Sequence, residues 1–233
     1  MEYLRNNLEM IKTKSADIYA KLNEYLQKNP NKWDFSDKFK IVVCRDGTNT
    51  VEVCDGEKRI CLNSIYNSSR EAGIWAEKYK NVPEITSFIM FGMGNGVFFN
   101  AIKKHIKISA CIMFFEPDME LFLFCLKYFN LHEILSDKRL SLYINGINEN
   151  DFYMDLSGRI NWAMLPTQLI CSHPSYDRLY KEEYLKYEFV LEQLKTALIT
   201  NKNTSLAYAK KFTVNAINNL RNIKNSNYIS EFI

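Results

Sequence analysis

Three glycines at alternate positions, Gly92, Gly94 and Gly96, separate an apolar strand-like run from an apolar helix-like one in SFIMFGMGNGVFFNAI, Ser87 to Ile102. Glycine in such a turn permits positive φ and lets a ligand approach the free N–H groups that open the next helix. The G-x-G-x-G spacing is not the G-x-G-x-x-G of a dinucleotide site, and no Gly-Lys-Ser/Thr follows to make a P-loop, so NAD and ATP are disfavoured. Glu116 closes the next strand in FFEPD, where a carboxylate can accept hydrogen bonds from both hydroxyls of a ribose. Asn145 stands before Gly146 at the end of the third strand, placed to reach an adenine edge or, more simply, to form a turn or cap. The candidate ligand site is therefore Gly92, Gly94, Asn95, Gly96, Glu116 and Asn145, for a nucleotide or an S-adenosylmethionine-like molecule. No catalytic residue is identified.

Other reactive side chains form no constellation. His105, His132 and His173 are far apart in the chain, although His173 in CSHPSYD would lie near a strand's carboxyl end and could line a pocket. The six cysteines include no C-x-x-C pair and no histidine at ligand spacing, so no metal is expected and the thiols read as small reduced hydrophobes. Thirty Lys and Arg against 27 Asp and Glu leave a net charge of +3, too little to imply a nucleic-acid surface. The one skewed stretch is Thr196 to Lys224, where Lys202, Lys210, Lys211, Arg221 and Lys224 have no acidic neighbour. It reads as a solvated helix face before it reads as a docking surface. No apolar run is long enough to span a membrane and no secretory signal follows Met1, so a cytoplasmic location is expected.

The elements that must position these residues follow from periodicity. Leu4, Leu8, Ile11, Ile18 and Leu22 recur at helical spacing with a polar patch from Lys12 to Ser15, predicting one or two N-terminal helices. FKIVVCRDGTNTVEVCDGEKRICL alternates with period two around Asp46-Gly47 and Asp55-Gly56, predicting a small antiparallel β-meander. NSSREAGIWAEKY predicts a helix capped by Ser68 or Ser69. From Ile85 strands and helices alternate, and the strands are apolar almost throughout. That pattern predicts an α/β core, a Rossmann-like parallel sheet with helices on both faces. Two amphipathic C-terminal helices are expected after it, separated by a break at TNKNTS. The corresponding boundaries are 1-84 for the N-terminal helices, meander and helix, 85-176 for the core, and 177-233 for the C-terminal helices.

The glycine turn and Glu116 together resemble the first two motifs of class I S-adenosylmethionine-dependent methyltransferases, a resemblance that implies a methyltransferase-like arrangement of the core sheet. No Asn/Asp-Pro-Pro-Tyr follows the fourth strand; the corresponding region reads LPTQLICSHP. A longer resemblance takes in six blocks in order: NLEMIKTKSADIYAKL, LNSIYNSSREAGIWAEKY, FIMFGMGNGVFFNAI, FFEPDMELFLFCL, LSDKRLSLYING and TVNAINNLRNIKN. In this the chain is similar to the N-terminal region of the motility-associated factor family of bacterial flagellin glycosyltransferases. That resemblance implies a role in transferring a CMP-activated nonulosonic acid to flagellin, with flagellin and a downstream glycosyltransferase domain as partners. The family's central domain carries its own GxGPS-like turn, thought to perform transfer, and the present sequence reaches Ile233 without one. An accessory rather than catalytic role is therefore expected, in acceptor recognition, nucleotide binding or homo-oligomerisation through the C-terminal helices. The family commonly has an aromatic residue after the last glycine; here it is Val97. Alternatives from the residues alone are a methyltransferase and a non-catalytic interaction module.

Overall fold

The computed structural model describes residues 2–29, 33, 35, 37–56, 58–82, 84–160 and 166–223. The chain divides into two compact units, Met1–Phe189 and Val190–Ile233. The first opens with α1 (Glu2–Lys14) and α2 (Ala16–Lys28), separated at Ser15, whose hydroxyl accepts from Ile18 N and caps the second helix. The polar patch expected to interrupt the N-terminal helix is thus a cap between two helices.

Strands β1 (Phe39–Val43), β2 (Asn49–Asp55) and β3 (Lys58–Cys61) form the antiparallel meander, in that order. Gly47 and Gly56 take positive φ at its two turns, as the Asp-Gly pairs require. Helix α3 (Ser68–Glu77) follows, and its cap is Asn67 rather than either serine. The Asn67 carboxamide oxygen accepts from Arg70 N at 2.6 Å, while Ser68 is buried and its hydroxyl bonds to Thr48 Oγ1. A serine already engaged with the meander is not free to cap.

The core then runs β4 (Ile85–Phe91), α4 (Val97–Ile102), β5 (Ile106–Glu116), α5 (Met119–Tyr128), α6 (His132–Leu135), β6 (Leu140–Ile144), α7 (Glu149–Arg159) and β7 (Gln168–Ser172). All four strands are parallel, in the order β6-β5-β4-β7. Successive crossovers carry the chain outward from β4 to β5 and β6; the last one returns it to the opposite side of β4. The direction therefore reverses between β4 and β7, and their carboxyl ends form the crevice where open α/β sheets bind ligands. Residues 161–165, which include the first four positions of the apolar run WAMLPTQLIC read from the sequence as the last core strand, lie outside the described residues.

Phe88, Ile89, Met90 and Phe91 are all buried, as a central strand covered on both faces demands. Phe88 meets Phe99 and Phe114 at ring-centroid distances of 6.2 and 5.6 Å, so β4, α4 and β5 share one aromatic cluster. At about 1.5–3 kcal/mol for each fully buried aromatic side chain, such clusters hold the strand ends in place beneath the crevice.

After β7 come α8 (Tyr176–Leu179) and α9 (Lys181–Ile223). The break expected at TNKNTS does not occur, and the two amphipathic helices are one continuous helix. The polar residues there cost only tenths of a kcal/mol each in an exposed helix, no Gly or Pro interrupts them, and Thr200 Oγ1 donates back to Thr196 O.

Candidate functional site

The glycine turn has the conformation its composition foretells. Gly92, Gly94 and Gly96 have φ of 86°, 55° and 82°, in the left-handed region where other residues are strained. What occupies the space they leave is protein. A Cβ on Gly92 would lie 2.4 Å from the ring of Tyr176, and one on Gly94 would lie 3.0 Å from His173 Nε2. Both aromatic residues come from the segment after β7, the other wall of the crevice. Backbone bonds fix that segment: His173 N donates to Phe91 O, and Tyr176 N to His173 O. Glycine is needed at 92 so that a tyrosine can pack on the turn.

Glu116 ends β5 beside this turn and is 1% exposed. Its Oε2 accepts from Met93 N at 3.0 Å, Gly94 N at 3.3 Å and the Tyr176 hydroxyl at 2.8 Å. Its Oε1 accepts from Asp118 N at 3.3 Å. Both carboxylate oxygens are thus engaged by the protein, in the position where a ribose would need them. Burial pushes the Glu116 acid up to about 7, against the opposing bonds from the Tyr176 hydroxyl and Met93 N–H. Burial likewise pulls His173 down to about 3, so that its imidazole is neutral. Ser175 N donates to His173 Nδ1, which assigns the ring proton to Nε2. That Nε2 is buried without a hydrogen-bond partner, against Gly94.

The remaining candidates are structural in their contacts. Asn95 is buried; its amide donates to Asn49 O and its oxygen accepts from Val97 N, both at 3.5 Å, linking turn to meander. Gly96 precedes α4, and a Cβ there would meet Leu131 and Ile134 only at an ordinary 3.5 Å, so its positive φ rather than crowding calls for glycine. Asn145 bonds to Glu116 through the backbone, N to O at 2.9 Å, but its side chain donates to Pro117 O at 3.1 Å and faces a separate crevice with Gly146 and Glu149. Glu116, Gly92 and Gly94 are therefore brought together, whereas the Asn145 side chain is directed elsewhere. Sequence reasoning did not find Tyr176, which closes the constellation. Its signal lay in SHPSYD, a polar and aromatic segment directly after the fourth strand at the position where strand order reverses.

The fold and site define an α/β protein with a Rossmann-like sheet whose switch-point crevice is occupied by its own tyrosine, histidine and glutamate side chains. No known protein family and no curated protein matches the chain. Among solved structures, the chain is similar to the MAf glycosyltransferase from Magnetospirillum magneticum AMB-1, at 12% identity and a TM-score of 0.49, over 73% of this chain and 32% of that one. The chain thus spans about a third of that protein's length. No helix among the described residues is long and apolar enough to cross a membrane.

Proposed function

We propose that this chain is the accessory Rossmann-like domain of a motility-associated-factor type flagellin glycosyltransferase, and that its glycine turn is a structural joint rather than a nucleotide site. The family assignment is supported by the six ordered sequence blocks. The accessory role is supported by one observation: the Tyr176 ring fills the space beside Gly92 while its hydroxyl bonds the Glu116 carboxylate. A nucleoside or S-adenosylmethionine would have to expel that ring and break the bonds from Met93 and Gly94, which disfavours the methyltransferase reading. In this proposal the domain serves recognition of the acceptor or of the transferring domain, and self-association runs through α9.

Two measurements test the proposal. Calorimetric titration of the chain with cytidine and with S-adenosylhomocysteine, neither of which carries a phosphate, is expected to give no saturable heat at millimolar ligand; tight binding of either overturns the structural-joint reading. Intact-mass spectrometry of flagellin from the source bacterium is expected to lose its glycan mass when the gene is deleted and to keep it with Glu116→Gln. Unchanged flagellin in the deletion strain overturns the pathway.

A further inference from the structure

Outside the glycine crevice, one cavity combines shape, aromatic surface and unmatched charge. It has a volume of about 430 Å³ and runs along α3, in the size range of small-molecule sites. Its floor is apolar: Trp75 and Phe98 meet edge to face at 5.2 Å, and Ile74 stands beside them. One wall is Tyr66, more than half exposed, with the Arg45 guanidinium 4.5 Å from its ring centroid. Arg70, in the first turn of α3, and Lys78, its C-cap, both line the cavity. Neither has an acidic partner among the described residues. The cavity's one carboxylate, Glu71, accepts from Ser64 N at 2.7 Å and is thereby held at the loop.

We infer that this cavity binds a phosphate ester of a ring compound, its phosphate on Arg70 and its ring against Tyr66, Ile74 and Trp75. Arginine supplies a planar fork that matches phosphate oxygens. Exposed aromatic surface stacks on sugar and base faces alike. Lys78 stands roughly 12 Å farther along the helix by its rise of 1.5 Å per residue, so it meets the far end of the ligand rather than the phosphate. This inference is independent of the proposed function, because the cavity shares no residue with the Glu116, Tyr176 and Gly92 cluster.

The test is calorimetry with adenosine 5′-monophosphate and glucose 6-phosphate, and with adenosine and glucose as uncharged controls. Saturable binding of at least one ester is expected, about tenfold or more tighter than its uncharged parent, and about tenfold weaker in Arg70→Ala. Which ester binds identifies a base or a sugar as the stacked ring. Arg70 is exposed and its backbone N–H alone makes the cap, so the variant is expected to keep its circular dichroism and melting temperature. Lys138→Ala, at a different cavity, is expected to bind as the parent does. The inference is overturned if neither ester saturates at about 10 mM, if the uncharged parents bind equally well, or if Arg70→Ala binds as tightly as the parent.

Discussion

Glu116 is a buried carboxylic acid whose proton stabilises the fold at acidic pH. Its folded value, about 7, lies above its ordinary 4.5, so the folded chain keeps a proton that the unfolded chain loses between those pH values. The stabilisation is complete below pH 4.5 and is lost as pH rises through 7. His173 works in the other direction: its value falls from 6.5 to about 3, so its contribution is present above pH 6.5 and is lost as pH falls through that window. Between pH 4.5 and 6.5 the two slopes oppose each other. Glu116→Gln, which keeps an acceptor for Met93 and Gly94, removes only the first slope. Urea unfolding from pH 5 to 8 is expected to show the variant gaining on the parent with pH, by up to roughly 3 kcal/mol at about 1.4 kcal/mol per pH unit; parallel curves would refute the buried-acid account. The Tyr176 contact has its own test. Gly92→Ala is expected to cost more than about 3 kcal/mol, combining a positive-φ penalty with a steric clash, and to cost much less in a Tyr176→Ala background. Additive losses in that double-mutant cycle would mean the ring is not what requires the glycine. The composition of the turn was legible as positive φ; the ring that fills it was not, because glycine spacing reports the absence of a side chain and not what takes its place.

At the scale of elements, the parallel sheet followed from the alternation of helices with strands apolar almost throughout, because strands buried on both faces must carry apolar residues at every position, whereas the order β6-β5-β4-β7 came only from the structure. Polar ties between elements left no such trace. Asn7 lies on the apolar face of α1, 1% exposed, where Leu4, Leu8 and Ile11 set the expected stripe. Its amide donates to Leu126 O at 2.9 Å and Phe129 O at 2.8 Å, and its oxygen accepts from Leu131 N. One side chain thus satisfies carbonyls at and just beyond the α5 terminus and an amide of the following turn, groups that helix geometry leaves unpaired. Asn7→Ala is expected to destabilise by about 2–4 kcal/mol, since it orphans buried groups as well as leaving a void; a loss below about 1 kcal/mol in urea unfolding would show that water replaces the amide. The continuity of α9 was hidden for a related reason. Asn, Thr and Ser mark breaks by local competition with the backbone, but where they point to solvent and no Gly or Pro follows, the helix continues through them.

For the whole molecule, the unit from Val190 onward presents Leu206, Phe212, Ile217 and Leu220, each at least half exposed, on one helix. Burying these against a second copy would return about 1.5–3 kcal/mol for each side chain. The association cost is of the order of 4–15 kcal/mol, so the proposed self-association is weak and calls for concentrated protein. Charge decides its character. From Thr196 to Lys224 each chain carries five basic residues and no acidic one. Pairing this segment with itself brings like charges together, and added salt screens them. Sedimentation equilibrium is therefore expected to show the dimer strengthening as sodium chloride rises from about 50 to 500 mM, with the Debye length shrinking from roughly 14 to 4 Å. Phe212→Ser with Leu220→Ser is expected to leave monomer at both salt concentrations. A complex with an acidic partner would weaken over the same salt range, so a monomer at every salt concentration, joined by salt-sensitive binding to an acidic protein, would move α9 from self-association to partner recognition.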